Sequence, residues 1–201
     1  MAAGELPYVL LRRAAAYSVR RYPGADVAAT GYETRPEGYD RLGAYAGGAN
    51  AAGARLKPLA PSLVRVPPSG KGKVMEWPLR YDLQAPAPDD PPLAESDRVR
   101  LERKAGGVYA VAPFDEVGAL PPPSLRRRRS AHPAPLSPPQ TFTLAAIQAA
   151  SDALRAAVSR DGLAPAADAT LLLAQFDPIF APGDRRNEVW LELSGHEWEE
   201  Y

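Results

Sequence analysis

The sequence predicts an α+β domain in which an antiparallel sheet curls around a core and two helices pack outside it. Segments with alternating apolar and polar residues, which are typical of strands, occur along the chain between turn residues. Two segments with helical spacing separate them, so the order is hairpin, helix, strand, strand, and then the same order again. This order indicates an internal duplication of a β-β-α-β unit or a close variant of one.

The first half begins with strand-forming stretches. The runs "YVLL" and "AYSVRRY" lie within residues 8–22, and "ADVAAT" follows the turn at Pro23-Gly24. A short helix is predicted over 36–46, because Pro36 suits a first helical turn and the glycine pair after Ala46 suits a helix end. The first half therefore opens as a hairpin followed by a helix.

Four further strands are predicted before residue 115. Residues 59–67 and 75–84 form two of them, joined by the turn-rich "PSGKGK", and Pro78 within the second predicts an edge position or a bulge. The run "RVRLERKAGGVYAVAPF" predicts two more, paired as a hairpin around Gly106-Gly107.

The second half closes with a helix and two strands. The helix is predicted in "TLAAIQAASDALRAAVSRDG", with Thr143 as its cap and Gly162 after its end. The strands are "ATLLLAQFD" and "RNEVWLEL".

Residues 118–143 have a composition unlike the rest of the chain. They hold three consecutive prolines, a run of four arginines and further prolines, and such a segment cannot bury enough apolar area to offset its ordering entropy. We expect an inserted loop that could dock on an acidic partner or present polyproline, and an acidic aromatic tail over 194–201 that could act in the same way. The candidate partner-binding residues are Arg126, Arg127, Arg128 and Arg129. The whole chain, 1–201, is expected to form a single domain around these additions.

Composition excludes several classes of function. The 24 basic and 24 acidic residues balance, so no overall field attracts nucleic acid or an anionic membrane. The chain has no cysteine, and its only histidines are His132 and His196, so thiolate chemistry is excluded and a multi-histidine metal site is disfavoured. No apolar run is long enough for a membrane span, and no Ser-His-Asp arrangement or phosphate loop indicates an enzyme. We expect a cytoplasmic protein, although an organellar protein, including a plastid one, would have the same composition.

Four stretches of the chain resemble segments of the SOUL family, also called heme-binding proteins. In order they are "YSVRRYPGADVAAT" (17–30), "YDRLGAYAGGAN" (39–50), "RLKPLAPSLVRV" (55–66) and "QFDPIFAPGDRRNEVWLEL" (175–193). The resemblance implies a distorted antiparallel β-barrel flanked by two α-helices and built from two related halves.

The resemblance also implies a function, which is non-catalytic binding of heme or a related tetrapyrrole in a hydrophobic cleft beside the first helix. Apolar faces would drive burial of the ring, and a basic side chain near the rim would meet its propionates. The candidate heme-binding residues are Arg35, Tyr39, Arg41, Leu42, Tyr45 and Ala46. Heme is a possible cofactor without an assured axial ligand, since both histidines lie in segments predicted to be exposed.

The sequence leaves one alternative function open. The chain could be a SOUL-fold structural or adaptor subunit of a larger assembly that no longer binds heme, using the arginine-proline loop to hold a partner. The closing "RRNEVW" is interpreted as structural rather than ligand-binding, because arginine is mostly used to satisfy carbonyls and carboxylates. On that interpretation Arg185 or Arg186 bridges carbonyl groups or pairs with Asp177 or Asp184.

Overall fold

A computed structural model describes residues 4–67, 69–80, 91–114, 143–167, 169–176, 186–194 and 198. These residues form strands β1 (Val9–Arg13), β2 (Ser18–Tyr22), β3 (Ala25–Tyr32), β4 (Ser62–Arg65), β5 (Lys73–Arg80), β6 (Arg100–Lys104), β7 (Gly107–Pro113), β8 (Ala164–Pro165), β9 (Leu172–Gln175) and β10 (Asn187–Ser194). The two helices are α1 (Arg35–Gly47) and α2 (Leu144–Arg160). The predicted α+β class, with antiparallel strands and two helices, is confirmed.

The chain divides into two compact units. The first comprises Met1–Tyr8 and Tyr22–Gly107, and the second comprises Val9–Arg21 and Val108–Tyr201. Each unit has one helix and its own set of antiparallel strands, but the units are not the contiguous halves predicted from the order of elements, because β1 lies in the second unit and β6 lies in the first.

In the first unit the strands lie in the order β4-β5-β3-β6. Each neighbouring pair is antiparallel, so that Ala28 of β3 lies opposite Trp77 of β5 on one side and Leu101 of β6 on the other. Helix α1 packs against β3 and β5. Gly38 permits this close packing, because a Cβ atom there would lie 3.0 Å from Cε of Met75.

The bulge predicted at Pro78 is present. Val27 of β3 lies opposite Pro78, whereas the preceding residue, Asp26, lies opposite Arg80. Leu79 is therefore the extra residue on β5, and Leu79 and Arg80 together oppose a single residue of β3. The carbonyl of Pro78 still accepts a hydrogen bond, at 2.7 Å, from the backbone N–H of Leu59.

In the second unit the strands lie in the order β1-β2-β7-β10-β9, and the short β8 also pairs with β10. Helix α2 begins where the sequence predicts, because the hydroxyl of Thr143 accepts the N–H of Ala146 at 3.1 Å. The helix ends just before Gly162, whose φ of +75° suits glycine. Its buried face comprises Ile147, Ala150, Leu154, Ala157 and Val158.

The hairpin predicted around Gly106-Gly107 is wrong, although both strands exist. Strand β6 pairs with β3 rather than with β7, and β7 pairs with β10. The reason lies in the packing of Gly106: a Cβ atom there would lie 2.7 Å from the carbonyl oxygen of Tyr22 and 2.9 Å from the nitrogen of Gly24. Glycine is therefore required for a close approach of two backbone segments and not for a two-residue turn.

The described part of "RRNEVW" is held by a buried carboxylate. Glu188 accepts hydrogen bonds from Arg20 at 3.0 and 3.2 Å and from the indole N–H of Trp190 at 2.9 Å. Arg186 lies 3.5 Å from the same carboxylate and stacks over the ring of Phe176 at 3.6 Å. These contacts agree with the structural interpretation of the motif. The other residues of that interpretation lie outside the described part of the chain: Asp177, Asp184 and Arg185.

Among the described residues, neither helix has the length and apolar character needed to cross a membrane.

Candidate functional site

The start of α1 carries a small group of cationic and aromatic side chains. The guanidinium of Arg35 lies 5.8 Å from the centre of the Tyr39 ring, and that ring lies 6.0 Å from the ring of Trp77 on β5. The indole N–H of Trp77 donates to the hydroxyl of Ser62 at 3.1 Å. All four side chains are half-buried, so they form a partly open aromatic surface next to the helix.

The other predicted residues of α1 are engaged with the first unit itself. Arg41 donates to the carbonyl of Gly31 at 2.6 Å and pairs with Glu37 one turn earlier on the helix. Leu42 and Tyr45 are 0% and 1% exposed, and Ala46 is also buried. These three apolar positions therefore contribute to the core beneath the helix.

A pocket of about 470 Å³ lies beside the end of α1. Two hydrogen bonds join its walls to the helix. The hydroxyl of Tyr45 donates to the carbonyl of Pro92 at 2.9 Å, and the N–H of Leu56 donates to the carbonyl of Ala46 at 2.8 Å. Burial raises the pKa of the Tyr45 hydroxyl above its usual value. The described lining residues are Ala52, Ala54, Leu56, Lys57, Leu79, Arg80, Pro91 and Pro92.

Asn50 shapes the wall of the pocket that follows α1. Its side chain is buried, and its amide nitrogen donates to the carbonyls of Tyr45 at 2.9 Å and Ala54 at 2.7 Å. Its amide oxygen accepts the N–H groups of Ala52 at 3.2 Å and Ala54 at 3.1 Å. One side chain thus satisfies four backbone groups and fixes a loop that has no regular secondary structure.

The bulge in β5 supplies further lining residues of the pocket. Because Leu79 and Arg80 share one position of the ladder, an apolar and a cationic side chain from adjacent residues both line the pocket. The guanidinium of Arg80 pairs with Asp26 at 2.6 Å, and Arg103 donates to the other oxygen of Asp26 at 2.9 Å. Burial of Asp26 disfavours its charged form, but the hydrogen bonds and charges of Arg103 and Arg80 outweigh it and hold the pKa of Asp26 below its usual value.

The pocket is apolar with a positive rim. Its two charged lining residues, Lys57 and Arg80, are both cations, and none of the described lining residues is acidic. Arg80 and Arg103 both pair with Asp26, and each of them makes at least one further interaction. Within the described residues, the ammonium of Lys57 is exposed and makes no ion pair. An anionic group on a ligand would therefore be attracted to this rim.

The described lining residues fit a flat apolar ring with acidic substituents, but none of them has a side chain suited to bind iron. The described lining contains no histidine, methionine, tyrosine or cysteine. Across the described part of the chain, no group of three or more His, Asp or Glu could hold a metal ion. Both histidines, His132 and His196, lie outside the described residues.

The predicted residues of α1 are spread along the helix, and their role in heme binding stays a prediction. Tyr45 and Ala46 support the pocket from behind, whereas Arg35 and Tyr39 lie with Trp77 near the start of the helix. Arg126 to Arg129 lie outside the described residues, so their partner-binding role stays a prediction.

Sequence reasoning missed Lys57 and Arg80. A signal for Arg80 was present, because Pro78 predicted a bulge and a bulge redirects the side chains that follow it.

A family model described as SOUL heme-binding protein matches residues 3–127, which is more than half of the chain. The chain belongs to the SOUL heme-binding protein family. The match includes α1, the loop held by Asn50 and the bulged strand β5, and hence the whole described lining of the pocket. No curated protein sequence matches the chain.

Two solved structures are also similar to this SOUL chain. One is described as a bacterial transcription regulation protein from Staphylococcus aureus MU50, at 12% identity and a TM-score of 0.39, covering 89% of this chain and 98% of that one. The other is SAV2435 bound to tetraphenylphosphonium, also at 12% identity and a TM-score of 0.39, covering 89% of this chain and 94% of that one. At these scores neither similarity supports a conclusion about ligands.

Proposed function

We propose that this SOUL protein binds heme or a related tetrapyrrole non-catalytically in the pocket beside the end of α1. The observation that carries the proposal is the combination of apolar walls and two cations, with no acidic side chain, among the described lining residues of one pocket. A tetrapyrrole with propionate groups has the matching chemistry, because its ring is large, flat and apolar while its acidic groups lie at one edge. Membership of a heme-binding family supports the same class of ligand.

The six predicted residues of α1 take different parts in this proposal. Tyr45 and Ala46 hold the walls through their bonds to Pro92 and Leu56, and Leu42 anchors the helix in the core. Trp77 and Leu79 lie two residues apart on β5, so the aromatic surface of Tyr39 and Trp77 extends the apolar area toward the start of the helix. Arg35 adds a cation to that extension. Arg41 stabilises the first turns of α1 through its bonds to Gly31 and Glu37.

Binding in this pocket is proposed to depend on the ring and its acidic groups rather than on an iron ligand from the protein. Lys57 and Arg80 would hold the acidic groups of bound heme, and no described lining residue would bind its iron. The iron-free ring should therefore bind with an affinity similar to that of heme. This expectation distinguishes the proposal from a site built around an axial histidine.

The test is a titration of the purified full chain with hemin and, separately, with protoporphyrin IX, followed by absorbance in the Soret region. We expect a saturable change at micromolar concentration with both compounds. The Ala52→Trp substitution should weaken both by at least about tenfold, because the indole fills an apolar wall of the pocket.

The matched control is Ala44→Trp, which adds the same side chain at an exposed position of α1 outside the described pocket lining. It should bind both compounds like the unmodified chain. Absence of saturable binding by the unmodified chain would reject the proposed function. A loss of binding in the control together with normal binding by Ala52→Trp would reject the pocket as its location.

A further inference from the structure

We propose that strand β1 (Val9–Arg13) is a docking edge for an extended segment of a partner protein. The segment that fits it has two adjacent acidic residues, then one residue of any kind, then two adjacent apolar residues. It would bind by strand addition, in which the backbone of the segment pairs with the outer side of β1. Strand β1 belongs to the second unit, whereas every described lining residue of the pocket belongs to the first, so this proposal does not depend on the proposed function.

Strand β1 lies at one end of the strand order in its unit. Among the described strands it pairs with β2 alone, so the other side of β1 has no described strand beside it. Such an edge presents backbone N–H and C=O groups with which another strand can pair. These groups are what strand addition requires.

The first two residues of β1 are apolar and exposed. Val9 is 53% exposed and Leu10 is 39% exposed. Apolar side chains at a sheet edge favour association with a further strand, because the pairing removes them from water together with the backbone. Val9 and Leu10 therefore indicate the apolar part of the segment that docks here.

The last two residues of β1 are both arginines, and the strand contains no acidic residue. Arg13 is exposed, and its side chain makes no hydrogen bond or ion pair with the other described residues. Arg12 lies 3.6 Å from Asp161 and its side chain is 42% exposed, so this pair is open to water and a second acid can approach Arg12. A second copy of β1 would bring two more arginines and no acid, so an acidic segment is the better partner.

A bulge in β1 places one apolar and one cationic side chain on each face of the strand. Val9 lies opposite Arg21 of β2. Arg12 lies opposite Val19. The two β2 residues are two positions apart and share a face, so Val9 and Arg12 also share one. Leu11 is the extra residue that makes this possible, because residues three positions apart in a regular strand point to opposite faces.

By the same register, the second apolar residue of β1 and its second arginine share the other face of the strand. A docked strand therefore meets an apolar side chain and a cation on both of its faces. When the segment runs antiparallel to β1, its acids lie beside Arg13 and Arg12, its spacer beside Leu11, and its apolar residues beside the exposed pair at the start of β1.

The probe is the acetylated and amidated peptide Ser-Glu-Glu-Thr-Val-Val-Ser, and its control is Ser-Lys-Lys-Thr-Val-Val-Ser. Both are titrated by calorimetry into the full chain, into Arg13→Glu and into Arg160→Glu. Arg160 is the matched control because it is an exposed arginine of the same unit, in the last turn of α2. Its side chain makes no hydrogen bond or ion pair with the other described residues.

We expect saturable binding of the acidic peptide with a Kd below about 1 mM, and binding of the lysine peptide at least about tenfold weaker. Arg13→Glu should weaken the acidic peptide by about three- to tenfold, because repulsion replaces an exposed ion pair. The same substitution should strengthen the lysine peptide, whereas a structural effect alone would weaken both. Arg160→Glu should bind both peptides like the unmodified chain.

Hydrogen exchange of the full chain locates the bound peptide. With the acidic peptide at saturation, exchange of amides in β1 should slow, because strand addition gives its outward N–H groups an acceptor. Protection elsewhere without protection of β1 would overturn the proposal, as would equal binding of the two peptides or failure of the acidic peptide to bind. If no peptide binds while Arg13→Glu weakens adsorption of the chain to phosphatidylserine vesicles, the arginines contact an anionic membrane surface and the proposal is wrong.

Discussion

Replacement of Asn50 by alanine should destabilise the protein and deform the pocket at the same time. The asparagine side chain is 1% exposed and makes four hydrogen bonds of 2.7–3.2 Å with backbone groups of Tyr45, Ala52 and Ala54. Alanine removes all four, and each buried hydrogen bond contributes about 0.5–1.5 kcal/mol net. Because some of the freed backbone groups are only part-buried and can bind water, we expect the free energy of unfolding to fall by about 2–4 kcal/mol.

The assay is unfolding by urea, followed by tryptophan fluorescence, together with thermal unfolding. For a chain of this length, the expected loss corresponds to a fall in Tm of about 5–15 °C. Asn50→Asp should also be destabilised at neutral pH, since its carboxylate retains the two acceptor contacts but faces the carbonyls of Tyr45 and Ala54 without a donor. Binding of protoporphyrin IX, measured where each variant is still folded, should weaken in both.

Arg55→Ala is the control for this prediction. Arg55 lies in the same loop, is exposed and makes no hydrogen bond or ion pair with the other described residues. Its replacement should change the free energy of unfolding by less than about 0.5 kcal/mol. If Asn50→Ala also stays within about 0.5 kcal/mol of the unmodified chain, the four bonds do not hold the loop, and this account of the pocket wall is incorrect.

Three other predictions follow from single residues. Gly43→Ala should raise the free energy of unfolding, measured in urea, by about 0.5–1 kcal/mol, because Gly43 is an exposed helical residue and a Cβ atom there meets nothing within 4 Å. No gain would show that helix propensity at this position does not contribute to the stability of the protein. Since the pKa of Asp26 is lowered on folding, its pairing stabilises the protein above the unfolded pKa of about 4, and that stability should be lost as pH falls below it. Asp26→Asn should lower stability at pH 7 and flatten its dependence on pH between about 2 and 5, and an unchanged dependence would contradict the assignment. Glu188→Gln should lower the free energy of unfolding by about 1–3 kcal/mol, measured by thermal unfolding, because Arg20 loses its buried countercharge. Equal stability would mean that the hydrogen bond from the indole of Trp190 is enough to hold residue 188 in place.

Much of the fold could be predicted from local patterns, since the rules that govern each element act within a few residues. Thr143 and Gly162 mark the ends of α2 through a side-chain bond and a positive φ, and Pro78 indicates the bulge because it lacks an N–H. The pairing of β6 could not be predicted in this way. Gly106 meets the backbone of Tyr22, a contact across more than eighty residues, and a glycine pair next to a strand is typical of a turn as well.

The candidate site was predicted less completely than the fold. The role of α1 in ligand binding stays a prediction, because apolar spacing cannot distinguish a helix residue that contacts a ligand from one buried in the core, and Leu42 and Tyr45 are buried. Lys57 and Arg80 come together from a loop and a strand more than twenty residues apart, through hydrogen bonds of Asn50 and an extra residue on β5. Neither kind of long-range arrangement is visible in the periodicity of a single segment.

The extra residue in β5, Leu79, places two adjacent side chains of the same strand in the lining of the pocket. In a regular strand pair, each position presents one side chain to a given side of the sheet. The position opposite Asp26 presents two, the apolar side chain of Leu79 and the charged side chain of Arg80. A chain shorter by a single residue at this point would keep its strands paired and would have to give up either the hydrocarbon surface or the guanidinium. Changes in length, and not only in residue type, are therefore a route by which related chains could lose or regain the ligand binding proposed for this pocket.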